Sequence, residues 1–168
     1  VIGFGFNSNG RYAPQGLLRE RFIPRLKNAK AEDIVDDRGI LDPFKCWAAM
    51  MKNEKPGGHG ERSVAVGVLD MALWDAVAKA EGVPLWRLLA DRYNDGEADK
   101  TAWVYAAGGY YYPQKDIEGL QDEMKHYLDL GYSTVKMKIG GGPRTDYLRR
   151  IEAALNVVGG KGENLCVD

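Results

Sequence analysis

Two lysines separated by a single residue, Lys136 and Lys138, stand in a run of the sequence that is otherwise largely apolar. The run from Ser133 to Ile139 predicts a β-strand, and side chains two residues apart on a strand point to the same face. At ~7 Å and an effective dielectric constant of ~20, two ammonium groups repel by ~2.4 kcal/mol, which lowers the pKa of one of them by ~1.7. The spacing therefore indicates a lysine that can act as a base near neutral pH. The alternative is a pair of exposed lysines at a strand end.

An acidic residue, Asp168, stands at the end of a second strand-like run, Asn164 to Asp168. Parallel αβ folds carry functional side chains at the carboxyl ends of their strands. A carboxylate in that position is a suitable ligand for a hard cation such as Mg²⁺. The alternative is a solvated acidic residue at a strand end.

The elements that must position these residues alternate along the second part of the chain. Strands are predicted at Thr101 to Ala107, Ser133 to Ile139 and Asn164 to Asp168, with helices between them at Asp116 to Leu130 and Thr145 to Val158. This alternation predicts parallel strands joined by helical crossovers. A doubly wound sheet and a TIM barrel both begin in this way, and periodicity does not choose between them.

The first part of the chain is predicted to be mainly helical. Val1 to Phe6 favours a short strand, and helices are predicted at Gly16 to Leu26, from Asp42-Pro43 onward, at Arg62 to Ala80 with Ser63 as its cap, and at Leu85 to Asp91. Gly82 and Pro84 end the longest of these helices. The polar stretch from Tyr93 to Lys100 predicts a domain boundary.

Two loops contain further candidates for ligand binding. Tyr110, Tyr111 and Tyr112 follow two glycines, and three adjacent side chains cannot all face one side, so at least one is expected to point into a site. Lys55 lies in a glycine-flanked loop and is suited to an anionic ligand. Packing beneath a loop and simple surface exposure are the respective alternatives. The Gly-rich run 140–143 lacks the Lys-Ser/Thr of a phosphate-binding loop.

Charge and cysteine usage limit the classes of partner. The net charge is −1 and the pI is near 6.2, so we expect neither a nucleic-acid partner nor a membrane partner. Cys46 and Cys166 match no zinc spacing, so we expect reduced thiols and a cytoplasmic location.

No run approaches the ~18 apolar residues of a transmembrane helix, and no signal peptide is visible. Because the sequence opens within a predicted strand, the natural N-terminus is expected upstream of Val1.

The segment from Ala65 to Ala90 resembles the signature helix of the mandelate racemase/muconate lactonizing enzyme branch of the enolase superfamily. The similarity is carried by the pattern Asp-x-Ala-Leu-x-Asp from Asp70 to Asp75, followed by Lys79, Pro84-Leu85 and Leu88-Leu89. The sequence departs from the family pattern at Val68 and at Ala90-Asp91, where a small residue and Gly-Gly are usual. The Lys-x-Lys of a second barrel strand and the Asp ending a third strand follow in the family's order.

Three shorter segments, Gly5 to Tyr12, Asn53 to Ser63 and Val104 to Pro113, are most similar to the D-tartrate dehydratases of that branch. The resemblance implies an α+β capping domain over residues 1–97, its first strands preceding Val1. It implies that residues 98–168 form the first three strands and two helices of a (β/α) TIM-type barrel, which is incomplete in this chain.

The resemblance also implies a hydro-lyase that depends on Mg²⁺ and dehydrates an acid sugar, D-tartrate giving oxaloacetate through an enediolate. Lys138 would remove the α-proton with help from Lys136, Asp168 would bind the metal, and the hydroxy-carboxylate substrate would contact three further residues: Asn9, Lys55 and Tyr110. We expect a homo-oligomer at full length and no activity from the 168 residues alone. The alternatives are another acid-sugar dehydratase or racemase of the superfamily, and a non-catalytic interaction module. A doubly wound nucleotide-binding protein is disfavoured by the missing phosphate-loop motif.

Overall fold

Two units, each with a hydrophobic core of its own, make up the chain. The computed structural model describes residues 1–7, 13–57, 60–114 and 116–168, and the division falls between Val1–Asp99 and Lys100–Asp168. The sequence placed this boundary between residues 97 and 98. That the units are a capping domain and the start of a barrel stays a prediction.

Helices form the regular structure of the first unit. They are α1 (Pro14–Leu17), α2 (Ile23–Lys27), α3 (Pro43–Met51), α4 (Glu61–Ala80) and α5 (Leu85–Tyr93), with a π-helical segment, Leu18–Phe22, joining α1 to α2 and a short 3₁₀ turn at Ala31–Asp33. The π-helical segment ends just before Pro24, which has no N–H to donate to the preceding turn. The core is formed by two clusters, one around Phe22, Met50, Ala65 and Val66 and one around Val77, Ala78 and Leu88.

The predicted N-cap of α3 was right, and the predicted N-cap of α4 was wrong. Asp42 caps α3 as expected, because its carboxylate accepts from the N–H groups of Phe44 and Lys45. Helix α4, in contrast, begins at Glu61, before Ser63, and no side chain caps it. The residue before it is Gly60, whose φ of +42° favours glycine.

The strand predicted for residues 1–6 is not found. Among the described residues of the first unit the structure has no strand, only an isolated antiparallel bridge between Val35 and Leu41. The N-terminal segment instead lies against α4, where the Phe4 N–H donates to Asp75 at 2.7 Å. A Cβ at Gly3 would lie 1.9 Å from a carbonyl oxygen of α4, so the glycine allows the backbone of the segment to contact the helix closely.

A parallel sheet with two covering helices forms the second unit. Its elements are β1 (Ala106–Gly108), α6 (Ile117–Asp129), β2 (Val135–Met137), α7 (Arg144–Val157) and β3 (Leu165–Val167), with a 3₁₀ turn at Gly162–Asn164 before β3. The strand order is β1-β2-β3 and both pairings are parallel, as the alternation predicted. In this register Lys136 lies between Ala107 and Cys166.

One face of the sheet packs against the two helices. Val135 and Met137 are fully buried there with Leu120, Met124 and Ala154. On α7, Leu148 is exposed, whereas Arg150 is buried beside Ala153 and Ala154. Across the described residues, no helix combines the length and the apolar character needed to cross a membrane.

Candidate active site at the carboxyl ends of the strands

Two lysines and one carboxylate converge at the carboxyl ends of β2 and β3. The ammonium groups of Lys136 and Lys138 both donate to the same oxygen, Oδ2 of Asp168, and the Lys138 bond measures 2.6 Å. The Lys136 side chain is only 11% exposed, whereas that of Asp168 is 55% exposed. The cluster therefore has one largely buried cation and an anion that solvent and small ligands can reach.

Strand geometry explains why these side chains meet. Lys136 and Lys138 share a face because they lie two residues apart, and Met137 between them points into the core. Pairing continues beyond the ends of β2 and β3, because the Asp168 N–H donates to the carbonyl of Met137 at 3.1 Å and the Ile139 N–H donates to the carbonyl of Asp168 at 2.8 Å. This pairing holds the Asp168 backbone beside Lys138.

The ion cluster sets the charge state of its members. Hydrogen bonds from Lys136 and Lys138 lower the pKa of Asp168 to about 2, so the carboxylate is ionised at neutral pH. The same contact with Asp168 raises the pKa of Lys138 above its ordinary value. The repulsion from Lys136 therefore does not give Lys138 the lowered pKa of a neutral base, because Asp168 accepts a hydrogen bond from both ammonium groups.

The three tyrosines after β1 face different neighbours. The Lys138 ammonium lies 5.7 Å from the centroid of the Tyr110 ring, and the Tyr110 and Tyr112 rings are 6.1 Å apart. Tyr111 instead stacks on the guanidinium of Arg150, whose Cζ lies 4.3 Å from the ring centroid. Tyr110 is thus beside the lysine cluster, and its role as a substrate contact stays a prediction.

The peptide group of Gly109 has partners on both sides, which sequence patterns did not reveal. Its N–H donates to Glu123 of α6 at 3.1 Å, and its carbonyl accepts from Arg150 of α7 at 2.7 Å. The backbone N–H of Lys138 donates to that same carbonyl at 3.3 Å. A sequence signal existed for Arg150, because it precedes Ala153 and Ala154 by three and four residues and so shares their buried face.

The other predicted substrate contacts belong to the first unit. Asn9 lies outside the described residues. Lys55 is exposed on the loop after α3 and lines a cleft of about 510 Å³ together with Glu54 and Arg62. The carbonyls of Lys55 and Gly57 accept hydrogen bonds from Arg62, and these bonds fix the course of the loop.

A buried carboxylate anchors that loop and was not predicted. The Glu54 side chain is 4% exposed and pairs with Arg21 at 2.6 Å, Arg25 at 2.8 Å and Arg62 at 3.2 Å. Burial alone would raise the pKa of Glu54, but the hydrogen bonds from Arg25 and Arg62 outweigh it, and the pKa is lowered.

The donor set at the strand ends fits one position of a magnesium site. Asp168 offers an ionised carboxylate, the kind of oxygen ligand that Mg²⁺ takes, often with substrate and water in its other positions. In the part of the chain that the structure describes, no group of three His, Cys, Asp or Glu side chains is close enough to hold a metal. That Asp168 contacts the metal stays a prediction.

Comparison with known proteins identifies relatives among sugar-acid dehydratases. No protein-family model matches the sequence. Arabinonate dehydratase from Saccharolobus solfataricus is 34% identical over 114 residues, which is 67% of this chain and 29% of the relative. D-mannonate dehydratase from Rhizorhabdus wittichii is 39% identical over 77 residues, which is 45% of this chain and 17% of the relative. The chain thus spans less than a third of the curated relatives that it matches.

Solved structures share the fold. A racemase from Streptomyces coelicolor A3(2) with bound magnesium superposes with a TM-score of 0.74 and 24% identity, over 99% of this chain and 43% of that one. A mandelate racemase/muconate lactonizing enzyme from a marine actinobacterium, in complex with magnesium, gives a TM-score of 0.60 and 26% identity, over 98% of this chain and 42% of that one.

The fold and these relatives support the mandelate racemase/muconate lactonizing enzyme branch of the enolase superfamily as the class of this chain. Within it, the curated relatives described above are dehydratases of sugar acids. The narrower D-tartrate assignment is not tested by these similarities.

Proposed function

We propose that the protein containing this chain is a magnesium-dependent dehydratase of an acid sugar, with D-tartrate as its substrate and oxaloacetate as its product. The observation that carries the proposal is the convergence of Lys136 and Lys138 on Asp168 at the carboxyl ends of adjacent parallel strands. The relatives named as sugar-acid dehydratases support the reaction class. The resemblance of residues 5–12, 53–63 and 104–113 to D-tartrate dehydratases supports the choice of substrate.

The proposed reaction removes one water from the substrate. Lys138 Nζ takes the α-proton as a general base, and the nearby ammonium of Lys136 stabilises the negative charge that develops on the substrate carboxylate. The enediolate expels the β-hydroxyl, which leaves as water after protonation, and the resulting enol tautomerises to the keto acid. Bound Mg²⁺ supplies further stabilisation of that negative charge. Because the ion pair with Asp168 favours the charged lysine, Lys138 acts as a base only once Asp168 releases it.

Three residues are proposed to contact the substrate: Asn9, Lys55 and Tyr110. Tyr110 lies beside Lys138 in the second unit, and Lys55 is an exposed cation on a loop that Glu54 and Arg62 hold in place in the first. We propose Lys55 and Asn9 as contacts to the carboxylate and hydroxyl groups of the substrate. The charge of Lys55 suits a dianion such as tartrate.

A racemase is the second candidate, and two solved structures named mandelate racemase/muconate lactonizing enzyme, each 26% identical to this chain, favour it. Racemisation would use the same first step, removal of the α-proton, but would return a proton to the opposite face without loss of the β-hydroxyl. Product analysis distinguishes the two, because dehydration gives a keto acid and racemisation gives an epimer.

Replacing Lys138 with Met in the full protein tests the proposal. We expect wild-type protein with Mg²⁺ to form oxaloacetate from D-tartrate and to exchange the α-proton in D₂O. Lys138→Met should lower both rates by about 10²-fold or more, because it removes the general base. Lys125→Met, an exposed lysine on α6, is the matched control and should leave both rates unchanged.

Retained α-proton exchange in Lys138→Met would contradict the assignment of the base. Activity on arabinonate or mannonate but not on D-tartrate would overturn the substrate and keep the reaction class. The 168-residue chain by itself serves as a further control. We expect it to be inactive, and dehydration of a sugar acid by it would contradict that expectation.

A further inference from the structure

A buried arginine on α7 reaches the loop that follows β1. Arg150 is 7% exposed, and its Nη2 donates to the carbonyl of Gly109 at 2.7 Å and lies 3.5 Å from that of Tyr110. The Cζ of its guanidinium lies over the Tyr111 ring, 4.3 Å from the centroid. One side chain therefore contacts three consecutive residues, of which the middle one stands beside the Lys138 ammonium.

The carbonyl oxygen that accepts the hydrogen bond from Arg150 also accepts one from the backbone of the lysine cluster. The Gly109 carbonyl accepts from the N–H of Lys138 at 3.3 Å, so Arg150 and Lys138 share one oxygen. On its other side the Gly109 peptide donates to Glu123. A Cβ at Gly109 would lie 2.5 Å from the Cβ of Met137, which shows how closely this peptide is pressed against β2.

We propose that Arg150 is a positioning residue for the site, which fixes the loop after β1 so that the Tyr110 ring and the Lys138 backbone keep their relative placement. Its importance for catalysis rests on the proposed function. Its effect on the loop does not, and can be measured separately.

The chemistry of the contact favours arginine over lysine. A planar guanidinium can donate hydrogen bonds in its plane and stack on an aromatic ring with its face, and a lysine ammonium cannot do both. The Nε of Arg150 is buried, and no described residue accepts a hydrogen bond from it. Leaving a buried donor unpaired costs free energy, so the contacts to Gly109 and Tyr111 have to offset that cost.

The test uses the full protein with Arg150→Gln and Arg150→Lys, and Arg149→Gln as the matched control. Arg149 is the adjacent arginine on α7 and is exposed. The first readout is hydrogen–deuterium exchange at the Lys138 amide and over residues 109–112. We expect about tenfold faster exchange in Arg150→Gln, because the loop opens locally more often. Arg150→Lys should be intermediate, and Arg149→Gln should match the wild type.

The second readout is the steady-state kinetics of dehydration. Misplacement of Tyr110 and Lys138 should lower kcat/KM by about tenfold to a hundredfold in Arg150→Gln. We also expect a raised KM, which a smaller fraction of folded enzyme would not produce. In a Tyr110→Ala background the same Arg150 substitution should cost much less, because residues that act through one another are not additive.

The outcomes separate the two proposals. Unchanged amide exchange at Lys138 in a folded Arg150→Gln protein would overturn the positioning role. Full additivity of Arg150→Gln and Tyr110→Ala would overturn the route through Tyr110. A wild-type protein that turns over no sugar acid would overturn the proposed function alone, since amide exchange would still decide whether Arg150 holds the loop.

Discussion

At the scale of single residues, Asp168 changes how readily the lysine pair gives up a proton. Two isolated ammonium groups repel, so one lysine would lose its proton more easily. Asp168 accepts from both, which raises the pKa of Lys138 and lowers that of Asp168 to about 2. The three side chains therefore form one ion cluster, and a ligand that engages Asp168 changes the environment of both lysines.

Gly109 combines a left-handed backbone conformation with close packing against β2. Its φ is +62° and an added Cβ would meet Met137 at 2.5 Å. Gly109→Ala should lower the free energy of unfolding by about 2–5 kcal/mol, the sum of backbone strain and overpacking. Gly159→Ala is the matched control, because Gly159 has a φ of +69° and open space around its Cβ position.

Urea unfolding monitored by circular dichroism measures both glycine variants. Gly159→Ala should cost only the backbone strain, about 1–2 kcal/mol. Equal losses in the two variants would mean that the β2 backbone moves aside, and would contradict the close packing of Gly109 against Met137.

At the scale of elements, residues of α4 that resemble the superfamily's signature pattern hold the N-terminal segment. On α4, Asp75 accepts from the Phe4 N–H, and Lys79 pairs with Asp75 at 2.6 Å and donates to the carbonyl of Ile2 at 3.1 Å. The Lys79 ammonium also lies 4.5 Å from the centroid of the Phe4 ring. These contacts give two of the motif residues a structural role within the first unit.

The cluster around Glu54 joins three helical segments, and we expect it to matter more for stability than surface ion pairs do. Glu54→Gln should lower the urea midpoint of the full protein markedly, because Arg25 and Arg62 would lose a buried anionic partner. Glu32→Gln is the matched control, since Glu32 is 74% exposed in its pair with Lys30, and exposed pairs contribute little.

Equal urea midpoints for the two glutamine variants would contradict this role of Glu54. The affinity for a dianionic substrate can also be measured in Glu54→Gln under conditions where the protein is folded. A lower affinity would support the proposal that the loop carrying Lys55 contacts the substrate.

At the scale of the whole molecule, each unit contains a buried or partly buried group that resists ionisation at high pH. Burial raises the pKa of the Cys46 thiol in the first unit to about 11. Burial and then the hydrogen bond that it donates to Glu123 raise the pKa of Tyr127 in the second unit to about 12. A folded-state pKa above the unfolded value means that the stabilisation is complete below the unfolded pKa and is lost as pH rises.

Thermal unfolding as a function of pH should therefore show alkaline destabilisation in two overlapping windows. Loss from Cys46 should extend from about pH 9 to about 11, and loss from Tyr127 from about pH 10 to about 12. Tyr127→Phe should flatten the upper window, because no ionisable hydroxyl remains, and Tyr132→Phe, at a more exposed tyrosine, should not. The same slope in Tyr127→Phe and wild type would contradict the assignment.

The sequence by itself determined the features that depend on local periodicity. The alternation of strands and helices after residue 100, the Asp42-Pro43 helix start and the shared face of Lys136 and Lys138 follow from patterns only a few residues long. Side-chain direction repeats with a fixed period in any strand or helix, whatever its place in the fold. These periods were sufficient to indicate parallel strands and a candidate site.

Only the tertiary structure decided which distant groups meet at that site. Asp168 lies 30 residues from Lys138 and Arg150 lies 41 residues from Gly109, yet each pair is hydrogen-bonded. Such contacts depend on strand register and on how the helices pack on the sheet, and short sequence patterns do not specify which distant residues are thereby brought together. Lys138 is consequently more basic than its sequence neighbours suggested, because a distant carboxylate in its folded environment stabilises its charged form.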